Sequence, residues 1–96
     1  GALDEGTIEM LGMFVDMTEP MIGKIQGTYD EKDFHALMEL AHSLKGAARS
    51  ACANILGNYA AELQTESENK KDRPDLIENI TNEFARVKEE IANMKP

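Results

Sequence analysis

Between Ile77 and Met94 the apolar residues Ile77, Ile80, Phe84, Val87, Ile91 and Met94 recur at alternating steps of three and four. That spacing keeps one face of an α-helix apolar along its whole length; a strand, with side chains alternating at period two, cannot use it. A stripe this regular makes its helix lie nearly parallel or antiparallel to whatever it packs on. Nothing in the chain alternates with period two, so the partners of this helix must be helices as well.

Three further segments supply them. Ile8, Leu11, Val15, Met21, Ile22 and Ile25 mark a first helix, with Phe14 alongside and Asp4 or Thr7 available to cap its start. Pro20 lies inside this pattern. Proline removes a backbone donor and crowds the preceding turn, so a kink or break is expected near residues 16–19, with Thr18 able to cap the restart. Gly27 and Tyr29 close the segment. Asp30 with Asp33 three residues on resembles a capping box for a second helix that runs through His42 to about Cys52. Asn54 can cap a third, whose stripe of Leu56, Tyr59, Ala60 and Leu63 fades in a polar turn, Glu66-Ser67-Glu68-Asn69. Pro74 suits the first turn of the fourth helix, with Asp72 as a cap. The expected fold is therefore all-α: an up-down four-helix bundle with a kinked or broken first helix. A length of 96 residues fits a single domain spanning 1–96.

The net charge of −8 argues against nucleic acid, whose phosphates need clustered Lys and Arg. The one basic run, Lys70-Lys71-Asp72-Arg73, is diluted by its aspartate. Cys52 is the only cysteine, which excludes an internal disulfide and fits a reducing compartment; it falls on the apolar stripe and reads as a small buried residue. No stretch approaches the length of a membrane span, so a cytoplasmic protein without membrane contact is the expectation.

The second helix carries the chemistry. At about 100° per residue, Leu37, Leu40, Ala41, Leu44, Ala48 and Ala51 cluster in one direction and His42 lies roughly 140° away. Lys45, Gly46 and Arg49 stand beside it. Glycine in a helix interior costs roughly 1 kcal/mol relative to alanine. Gly46, one turn beyond the histidine and off the buried stripe, therefore suggests that another surface approaches the backbone there. A neutral imidazole nitrogen can attack phosphorus and hold the group as a labile phosphoramidate, and a neighbouring ammonium offsets its charge. Plainer readings stand beside these: His35 is a surface histidine, and Lys45 and Arg49 can be simply solvated. Gln64, at the edge of the third stripe, either orients the His42 ring or is a boundary residue bonded to water.

With these residues in view, Ala41-His42-Ser43-Leu44-Lys45-Gly46-Ala47-Ala48 resembles the histidine phosphotransfer (HPt) domain family of two-component phosphorelays, which carries the pattern H-x-L-K-G. The likeness extends from about Phe14 to Ile91. It implies a helical bundle that accepts a phosphoryl group on His42 from a receiver-domain aspartyl phosphate and passes it to another response-regulator aspartate. Lys45 would stabilise the phosphoryl group, Gly46 and Arg49 would meet the receiver, and Gln64 would orient the ring. The implied partners are receiver domains and a hybrid sensor histidine kinase. No cofactor is implied for this chain, Mg²⁺ being supplied by the receiver, and the expected state is a monomer without kinase activity of its own. Cys52 departs from the family, where many members have Gly before the position of Ala53.

Three rivals fit less well. Glu39-Leu40-Ala41-His42 is one Glu-x-x-His unit of the kind di-iron bundles use twice, but a second unit is missing and His42 faces outward. The phosphoacceptor domain of a sensor kinase resembles a helix with an acidic residue directly after its histidine, where Ser43 stands here, and no nucleotide-binding motif is present. A helical module that only binds a partner stays open.

Overall fold

The computed structural model describes residues 5–94, so Asp4 lies outside the described residues. Four helices follow one another: α1 (Glu5–Asp30), α2 (Phe34–Ser50), α3 (Asn54–Glu68) and α4 (Pro74–Ala92). Each packs on the next and α4 returns to α1, while the diagonal pairs do not approach. Connections at residues 31–33, 51–53 and 69–73 are too short for anything but antiparallel neighbours. The result is an up-down four-helix bundle of 44 × 18 × 18 Å. Its core holds the stripes: Leu37, Ala41, Leu44 and Ala48 from α2, Leu56, Ala60 and Leu63 from α3, and Ile77, Ile80, Phe84, Val87 and Ile91 from α4. Met94 closes the α4 stripe half-buried.

The first helix is not broken. It runs continuously through Pro20. Proline deprives the carbonyl four residues earlier of its partner, and here both Pro20 and Asp16 face solvent, so water can satisfy that oxygen. Phe14, Val15 and Thr18 before the proline and Ile25 after it are all buried, and their packing holds both halves in one element. Thr18 is consequently no cap: it is fully buried, and its hydroxyl has no partner among the described residues. Thr7 is the third residue of α1 and does not cap it either.

Helix ends differ from the expected ones in several places. The residue that caps α2 is Asp33, not Asp30; its carboxylate accepts from the Ala36 backbone N–H at 3.2 Å. Ala53 precedes α3, leaving Asn54 as its first residue, and α3 continues through the polar run to Glu68 because Ser67 is buried. Pro74 opens α4 as expected, but Arg73 holds the cap position. Asp72 instead joins two loops, accepting from the Tyr29 hydroxyl at 2.6 Å and from Lys32 Nζ at 3.3 Å. Three connections leave their helices through a non-glycine residue in the left-handed region, Lys32 (φ 57°), Cys52 (φ 60°) and Lys70 (φ 57°). That conformation turns Cys52 off the stripe, and the thiol is exposed rather than buried.

Candidate functional site

His42 stands in the middle of α2, between the buried Ala41 and Leu44, and is exposed. The helix is regular here, so the wheel geometry holds: Lys45, Gly46 and Arg49 follow at three, four and seven positions along the same side. Lys45 is half-buried; Gly46 and Arg49 are exposed. A Cβ built at Gly46 would meet nothing within 4 Å. The bundle therefore has no packing need for glycine at that position, and the surface beside His42 is low and open.

This face carries two cations beside an exposed imidazole. Acidic residues outnumber basic ones by 18 to 10 across the chain. Lys32, Lys71, Arg73, Arg86 and Lys88 each pair with a carboxylate. Lys45 and Arg49 have no carboxylate partner among the described residues, and neither does His42. His35, by contrast, sits 2.9 Å from Glu39 one turn along α2. Lys24 and Lys70 are likewise without a carboxylate among the described residues, but Lys45 and Arg49 stand beside an exposed imidazole and with it make a place where an anion can be held.

The α2–α3 register locates Gln64. A Cβ on Gly57 of α3 would come 3.2 Å from Arg49 Cγ, so these two residues face each other. In an antiparallel pair, seven positions forward on α3 correspond to seven back on α2, which sets Gln64 opposite His42. Gln64 is half-buried and makes no hydrogen bond to the ring.

The chain belongs to the Hpt domain family. The family model for the Hpt domain matches residues 9–93, most of the chain. No match was found among curated proteins or among solved structures. Membership makes the chain a phosphotransfer module of two-component signalling, a class of phosphocarriers rather than kinases that works with receiver domains and kinases. No helix among the described residues is long and apolar enough to cross a membrane.

For an Hpt domain the bundle has one further surface that sequence reasoning missed. Met10, Met13 and Met17 of α1 are 55%, 59% and 69% exposed, although they are large and apolar. Together with Met21, with Ala47 of α2 and with Ala51 just after that helix they line an apolar groove of about 320 Å³. Ala47 is five positions beyond His42, about 140° round α2, so the groove lies on the α1 side of that helix, while Lys45 and Arg49 lie toward α3. Its signal was present in the sequence as a second 3-4 stripe on α1, but periodicity alone does not tell an outward apolar stripe from an inward one. Among the described residues no group of three or more His, Cys, Asp or Glu side chains is placed to hold a metal ion.

Proposed function

We propose that His42 is the phosphoacceptor of this module. A ring nitrogen lone pair attacks the phosphorus of a receiver's aspartyl phosphate, an N–P bond forms, and the acyl phosphate bond breaks to release the receiver's carboxylate. The other ring nitrogen sheds its proton to the water that bathes the exposed ring. In the second half-reaction the other ring nitrogen takes a proton back from water, a carboxylate of another receiver attacks the same phosphorus, and the N–P bond breaks to leave the neutral imidazole. Lys45 stabilises the phosphoryl group through both transfers, because its ammonium can follow a charge that develops one turn away. Gly46 leaves room for the receiver's loops, Arg49 contacts the receiver, and Gln64 orients the ring.

The observation that carries this reading is the exposed His42 flanked by two cations that no carboxylate among the described residues claims. Any Mg²⁺ belongs to the receiver, so this chain needs no cofactor, and it works as a monomer that offers one face at a time, in the cytoplasm. The methionine groove gives the docked receiver apolar area next to the polar face.

Incubation with a phosphorylated receiver tests the proposal. Wild type acquires acid-labile label and His42→Gln acquires none, whereas Lys45→Ala is labelled about tenfold or more slowly with its helix content unchanged. Label that persists on His42→Gln contradicts the assignment.

A further inference from the structure

We propose that Gly57 is a positioning residue: its missing side chain seats the Arg49 stem against α3, so that the guanidinium stands ready on the His42 face for a carboxylate of the receiver. This rests on the relay reading above. Gly12, Gly23, Gly27 and Gly46 all have open space where a Cβ would stand, and Gly57 does not. Its nearest neighbour is Arg49 Cγ at 3.2 Å, followed by Ala48 Cβ at 3.7 Å. An alanine methyl there would press on the stem of an arginine that no carboxylate among the described residues holds, and the stem would have to shift to make room. Glycine is the poorest helix former after proline, and Gly57, in the first turn of α3, is buried, donates to the Ala53 carbonyl at 2.9 Å and has no left-handed backbone that would call for glycine.

Other arginines here behave differently. Arg73 is held by Glu62 and Asp75, and Arg86 by Glu83 and Glu90. Arg49 alone of these three has its stem packed into a helix-helix notch and its guanidinium without a carboxylate. Holding the stem in advance removes part of the side-chain ordering that binding would otherwise require, and a planar fork matches a carboxylate in two hydrogen bonds. Lys45 is one turn from His42 and serves the phosphoryl group. Arg49 is two turns away, about 10 Å along the axis, which suits a carboxylate at the edge of the docked receiver.

A double-mutant cycle on the intact chain tests this, with the unphosphorylated receiver titrated at several salt concentrations and thermal melts recorded alongside. Arg49→Ala weakens receiver binding roughly fivefold to tenfold and flattens its salt dependence. Gly57→Ala melts no lower than wild type, since alanine favours the helix, yet weakens binding about fivefold because the stem is displaced. In the Arg49→Ala background Gly57→Ala has no further effect on affinity. The proposal is overturned if Arg49→Ala binds as wild type does, or if Gly57→Ala costs the same affinity with and without Arg49. A chain that still takes acid-labile label on His42 but whose affinity ignores Gly57 loses this inference alone; loss of the label from wild type removes the relay reading instead.

Discussion

At the scale of single residues, Gly46 separates packing from function. Nothing lies within 4 Å of a Cβ built there, so the bundle gains nothing from the absent side chain and bears its helix cost. Gly46→Ala should therefore stabilise the fold by up to about 1 kcal/mol, read by urea denaturation. Gly46→Gln should keep that stability yet impair receiver binding, and a receiver that binds this variant as well as wild type contradicts the close approach. The positions of His42, Lys45, Gly46 and Arg49 were legible because one regular helix places them all. Gly57 was not legible, since its partner is set by the α2–α3 register and no local pattern encodes it. Cys52 was misread for a related reason: the stripe that points inward along α2 ends with Ala51, and the left-handed backbone at the next residue turns the thiol outward.

At the scale of the helix, α1 shows tertiary packing overriding a local break signal. Pro20 lies at an exposed position of an otherwise continuous helix, where an interior proline costs up to about 3 kcal/mol relative to alanine. Pro20→Ala is accordingly expected to raise stability by about 2 kcal/mol, part of the gain being offset by the looser unfolded chain. Thermal melts followed at the helical circular dichroism band measure it, and an unchanged or lower melting temperature refutes the account of α1. The four helices and their buried stripes could be read from periodicity. Their ends could not, because acidic and polar residues cluster at each connection and several offer plausible caps: Asp30 competes with Asp33, and Asp72 with Arg73. Asp72 was drawn off by a long-range partner, the Tyr29 hydroxyl, which no local rule anticipates.

At the scale of the whole molecule, that contact ties the last turn of α1 to the α3–α4 connection at one end of the bundle. Lys32 Nζ lies 3.6 Å from the centre of the Tyr29 ring and also donates to Asp72. The Tyr29 hydroxyl and, after it, Lys32 hold the Asp72 carboxyl below its usual range, and Tyr29 and Asp72 raise Lys32. A lowered carboxyl contributes stability above its unfolded value and loses it as pH falls through the folded one. Tyr29→Phe should thus unfold more easily than wild type near pH 7, and the difference should be smaller at an acid pH, shrinking as pH falls through the lowered folded-state value of Asp72. Urea titrations at the two pH values check this, and the groups are exposed enough that added salt should shrink the effect. A difference that stays constant with pH would assign it to lost packing of the tyrosine instead.

His42 and His35 share one helix, and they offer an internal control for the central claim. Heteronuclear NMR of the two imidazole rings, recorded before and after exposure to a phosphorylated receiver, distinguishes them directly. The account predicts that the His42 ring resonances move to those of a phosphorylated imidazole while His35, beside Glu39, stays where it was. A phosphorylated His35, or two unchanged rings in a protein that has nonetheless taken up phosphate, would contradict it.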